Sequence, residues 1–214
     1  MRARFPAAFV RRPGRGWTRE RWDEYLARQA GPELLARWAQ AEPLRDELWR
    51  AGVILRAGDV PWTLEAMEVV ADGVRRVAGR CGGDARTLLE GLVLILETRT
   101  EPWWASLWRL WYRKPASMRF GAYQNRGKVH LRADNVRLAT LVHELGHYLD
   151  ERHHLSRAYR RYLRAAGLRE ETNRFEDLAN AFAAHVLGRP LDAVRQGYLE
   201  GLAWPANRRP EQAR

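Results

Sequence analysis

His143-Glu144-Leu145-Gly146-His147 places two imidazoles four residues apart with a carboxylate directly after the first. On an α-helix, side chains at i and i+4 lie on one face about a turn apart, so both rings can reach a single ion. Imidazole nitrogen is a good zinc donor, and a carboxylate beside it can take a proton from water activated by the ion. Leu138, Leu141, Val142, Leu145 and Leu149 surround the motif and predict a helix buried along one side. Ionisable groups on such a helix are costly to bury without partners, and a shared metal is one such partner. The plainer alternative is a helix whose two histidines sit on a part-exposed face.

Catalytic zinc takes three protein ligands and keeps one position open. Two residues compete for the third place. His153 follows His147 by six residues, which resembles the metzincin pattern His-Glu-x-x-His-x-x-Gly-x-x-His. Asp150 stands where that pattern has its bending glycine, and Met1, Met67 and Met118 all precede the motif, so the downstream Met-turn is absent. The other contender is Glu176, on a helix opened by Thr172 or Asn173 and stopped by Gly188 and Pro190. Phe175, Leu178, Phe182 and Val186 form the expected core stripe of this helix. Glu176, Ala179, Asn180 and Ala183 share an adjacent face, whose small residues permit close approach at Gly146. Glu176 is the ligand chosen, although it could instead close a capping box with Asn173. Asn180, one turn on, is expected to accept the Nδ1 proton of a ligating histidine and fix its tautomer. Asp177, about 100° round the helix, is expected to face solvent. His185 lies about 180° from Glu176 and is a poor ligand.

These side chains need elements to position them. Glu33 to Arg50 reads as a helix that Pro43 should kink or split. Thr63-Leu64-Glu65-Ala66-Met67 opens a helix reaching to about Ala78, and 92–97 reads as a buried strand in preference to the continuation of a helix starting near Asp84. Met118–Tyr123 and Lys128–Arg132 alternate apolar and polar residues around Gln124-Asn125-Arg126-Gly127, which predicts a hairpin. Asp134 or Asn135 would then cap the histidine helix. An edge strand beside the metal could pair with an extended peptide. Upstream, residues 1–16 read as a basic arm, followed by a helix from Thr18. Trp103, Trp104, Trp108 and Trp111 read as a short core-packed helix, with a substrate groove or partner surface as the other reading.

Val136 to His147, followed by Glu176-Asp177-Leu178-Ala179-Asn180-Ala181-Phe182-Ala183-Ala184, resembles the ImmA/IrrE family of zinc metallopeptidases. The resemblance covers roughly residues 118–190. It implies that His143, His147 and Glu176 bind Zn²⁺ in the gluzincin arrangement and that Glu144 is the general base. It further implies a zinc-dependent endopeptidase, a regulatory protease that cleaves a specific protein such as a repressor. The expected fold is α+β: mostly helical, with a small antiparallel hairpin packed on the histidine helix and on the Glu176 helix. Residues 1–60 would form a basic arm and helical extension, and 61–214 the metallopeptidase-like domain.

Composition bounds the partners. The lone Cys81 excludes an internal disulfide and Cys-rich zinc ligation. No apolar run approaches the roughly 18 residues of a membrane span, and the basic N-terminus lacks the apolar stretch of a secretion signal, so the expected compartment is the cytoplasm. The net charge of +11 raises nucleic acid as an alternative partner to a polypeptide substrate. All but two of the 37 basic residues are Arg, however, and they spread over the whole chain. Arg157, Arg160, Arg161 and Arg164 form the densest helical patch. A basic regulatory or interaction protein with a structural or vestigial zinc site is therefore the rival function.

Overall fold

The computed structural model describes residues 32–58, 60, 62–98, 122–171 and 173–202. The basic arm, the helix from Thr18, the Trp-rich segment and the first residues of the expected 118–123 strand lie outside these. In chain order the elements are α1 (Pro32–Arg50), β1 (Ile54–Ala57), α2 (Leu64–Cys81), α3 (Ala85–Leu89), β2 (Val93–Glu97), β3 (Ala122–Asn125), β4 (Lys128–Arg132), α4 (Leu138–His153), α5 (Leu155–Ala165), α6 (Arg174–Val186) and α7 (Ala193–Glu200). The fold is α+β and mostly helical. α1 runs as one helix through Pro43 rather than splitting there.

The sheet is larger and more mixed than a lone antiparallel hairpin. Its order is β1-β2-β4-β3, with β1–β2 and β2–β4 parallel and β3–β4 antiparallel. β2 is central, which explains its uninterrupted apolar sequence: Leu94 and Leu96 are buried on one face and Ile95 on the other. β3 and β4 are joined by Arg126 and Gly127 alone, both at positive φ (48° and 73°), the geometry of a two-residue hairpin turn. The expected four-residue turn is therefore two residues too long.

Leu94, Leu96, Val129 and Leu131 pack with Val70, Val74 and Val77 of α2 and Leu141, Leu145 and Leu149 of α4 in one core cluster. Leu48, Ala51 and Val53 belong to the same cluster, and β1 pairs with β2 across the boundary expected near residue 60. α2 opens where expected, with Thr63 as its cap, the hydroxyl accepting from the Ala66 amide at 3.2 Å. The helix then continues to Cys81, past Gly79, and closes on Gly82 in the left-handed conformation. Neither Asp134 nor Asn135 caps α4. Asp134 is held by Arg132 Nε at 2.5 Å, Asn135 forms a turn to the Arg132 carbonyl at 2.9 Å, and Arg137 occupies the cap without a side-chain bond.

Candidate metal centre

α4 supplies His143 and His147, and α6 supplies Glu176. The helices approach at Gly146, where an added Cβ would stand 3.1 Å from Ala179 Cα and 3.2 Å from Phe182 Cδ1. Only a residue without a Cβ allows this spacing unless α6 moves. As a result Glu176 Oε2 lies 3.4 Å from His143 Nε2, and Glu176 Oε1 lies 3.5 Å from His147 Nε2. The two Nε2 atoms are 3.1 Å apart, with the rings edge-on. Zinc bonds of about 2.0–2.1 Å at tetrahedral angles separate donor atoms by about 3.3 Å, so the donor set fits such an ion. The side chains are 22%, 17% and 46% exposed for His143, His147 and Glu176, so the cluster opens to solvent on the Glu176 side.

The electrostatics divide the two glutamates. Hydrogen bonds from His143 and His147 hold the Glu176 carboxyl well below the usual carboxylate range, outweighing its partial burial. Glu144 is buried, and desolvation raises its carboxyl above the ordinary value even though both histidines oppose the shift. His147 feels burial most strongly, which disfavours its charged form. The Glu176 hydrogen bond and the charges of Glu144, Glu176 and Asp150 together overcome this and raise it.

The hairpin is fastened beside this cluster. The Gln124 backbone, on β3, lies close enough to the Glu144 carboxyl to favour its charged form. About two turns further along α4, Glu151 accepts from the Gly127 amide at 2.9 Å and from the Gln124 side chain. β4, the strand directly before α4, is interior; among the described residues β3 is the edge strand on the motif side.

The cluster of His143, His147 and Glu176 is the group of ligand-type side chains that could hold a metal among the described residues. The chain matches no family model, no curated protein and no solved structure. His153 is not brought to the cluster. α4 continues as a helix through Asp150 and His153 and turns only at His154 (φ 53°), leaving His153 about 9 Å further along the axis. Asp150 does not bend the chain; it accepts from the Ser156 amide at 2.6 Å and starts α5. Asn180 is exposed, and among the described residues neither imidazole is hydrogen-bonded to it.

Two side chains on α6 differ from expectation. Asp177 is buried, not solvent-facing, because it accepts from the Tyr159 hydroxyl at 2.7 Å and pairs with Arg195 at 3.1 Å. Phe175 is 45% exposed, under the Arg174 guanidinium, because Asp177 and Leu178 occupy the buried side at this end of α6. Three other side chains able to donate a hydrogen bond are committed away from the cluster. Tyr148 donates to the Glu90 carbonyl at 2.9 Å, Tyr159 to Asp177, and His185 is buried on the far side of α6. Gln124, Glu151 and Arg195 carry no local sequence signal for their roles: Arg195 stands 18 residues from Asp177.

Proposed function

We propose that this chain is a zinc-dependent endopeptidase with His143, His147 and Glu176 as ligands and Glu144 as general base. The observation that carries the reading is the near-tetrahedral spacing of two imidazole nitrogens and one carboxylate, at 3.1, 3.4 and 3.5 Å, beside a buried glutamate on the same helix. A zinc ion held there supplies Lewis acidity, acidifying water and polarising a carbonyl. Glu144 accepts the water proton and hands it to the leaving amine. Its raised carboxyl brings it nearer the working pH, where proton transfer in both directions is efficient. β3, the edge strand on this side among the described residues, would offer backbone groups to an extended substrate near that carboxylate. The resemblance of residues 118–190 to ImmA/IrrE metallopeptidases supports a regulatory protease acting on a specific protein.

Glu144→Gln tests the assignment. It should keep stoichiometric zinc while cutting peptide hydrolysis by about 10²–10⁴-fold, the contribution of a positioned acid–base group. A proteome-derived peptide mixture read by mass spectrometry reports the cleavage. Undiminished proteolysis by Glu144→Gln would remove Glu144 from the mechanism.

A further inference from the structure

We infer that Asp177 and Arg195 form a buried lock that sets the rotation of α6 and so aims Glu176 at the two histidines. The inference rests on reading His143, His147 and Glu176 as zinc ligands. Asp177 directly follows Glu176 and is 4% exposed. Its carboxylate accepts from three separate pieces of chain: the Tyr159 hydroxyl of α5 at 2.7 Å, the Glu171 amide at 3.0 Å, and Arg195 of α7 at 3.3 Å (Nε) and 3.1 Å (Nη2). Arg195 is in turn held by Asp192 at 2.8 Å and by the Arg169 carbonyl at 3.3 Å. Both charges are thus paired, and their hydrogen-bonding groups are used.

A buried ion pair is poor evidence for stability, because desolvation offsets most of its attraction and apolar residues pack as well. Its stronger property is direction. The Gly146–Ala179 contact and the buried Leu178, Phe182 and Val186 seat α6 against α4 and the core, and the bonds of Asp177 add directed restraint at the turn that carries Glu176. Side chains stand about 5–6 Å from a helix axis, so a rotation of about 10° moves the Glu176 carboxylate by about 1 Å. Metal–ligand distances tolerate only about 0.2 Å. Asp177, about 100° round the helix from Glu176, is well placed to oppose that rotation. Asp177 and Arg195 are therefore positioning residues for the third ligand.

Tyr159→Phe and Asp177→Asn test this while keeping side-chain shape. Each protein is titrated with zinc against a chromophoric chelator, and its cobalt(II)-loaded form is recorded in the visible. The lock predicts a zinc Kd raised about tenfold, in the range seen when groups behind metal ligands are lost, with shifted cobalt bands. In a Glu176→Ala background, neither substitution should weaken the residual zinc affinity further. Wild-type affinity and an unchanged cobalt spectrum in the single variants would overturn the lock. So would an equal loss in the Glu176→Ala background, which is what general loosening produces. Should Asp177→Asn not fold, Tyr159→Phe decides alone. A wild-type protein that takes up no zinc overturns the centre and the lock with it, an outcome distinct from zinc binding that ignores Tyr159.

Discussion

Glu144 and Glu176 face the same pair of imidazoles and are pushed in opposite directions, one raised by burial and the other lowered by histidine hydrogen bonds. That division suits one proton carrier and one anionic ligand. A third ionisable group, His185, is buried on α6 away from the centre, and desolvation, with the nearby Arg80 charge, lowers its pKa. The unfolded chain, with His near 6.5, then binds more protons than the folded one, so stability rises with pH through this window. His185 therefore stabilises fully above about pH 6.5 and progressively less as pH falls towards its folded value. Urea denaturation of zinc-free wild type and His185→Gln at about pH 7.5 and pH 5 should show a smaller acid loss in the variant. An equal loss would mean that His185 does not carry this dependence. At this scale the sequence is informative where chemistry and spacing coincide. His143, Glu144 and His147 need only helical periodicity, and Glu176 stood out on a face of small residues. The burial of Asp177 depends on Arg195 in another helix, which no local pattern reveals.

Between elements, the centre depends on α4 and α6 touching at Gly146. Valine there would place its side chain against Ala179 Cα and Phe182, at distances already tight for a single Cβ. Gly146→Val should cost about 1–3 kcal/mol in chemical denaturation, as overpacking does, and should weaken zinc binding as α6 is displaced. Unaltered zinc affinity would show that this contact does not set the ligand distance. The hairpin beside α4 is legible from alternation and α2 from its opening residues Thr63–Met67, whereas the apolar run of β2 fits a buried helix as well as a strand until its pairing is known. β1 was not, because a four-residue strand after a helix has too little sequence for a period and pairs with β2 far along the chain. The α4 cap was misplaced because Asp134 and Asn135 are good capping residues that a tight turn with Arg132 uses first.

Across the whole molecule, one core joins α1, the sheet and the two helices that carry His143, His147 and Glu176. No helix among the described residues is long and apolar enough to cross a membrane. Arg157, Arg161 and Arg164 lie exposed on α5. Since α4 and α6 come from different parts of the chain, an ion bridging them binds the folded state in preference to the unfolded one. Zinc at roughly a hundredfold excess over its Kd should then add about 2.7 kcal/mol of stability, a rise in Tm that chelator reverses. A Tm indifferent to zinc would mean that the helices are not joined through the ion. The most direct measurement is the zinc content of purified wild type, Glu176→Ala and His153→Ala. The expected result is about one zinc per chain in wild type and His153→Ala, and loss of the metal from Glu176→Ala. Zinc retained by Glu176→Ala and lost from His153→Ala would contradict the account.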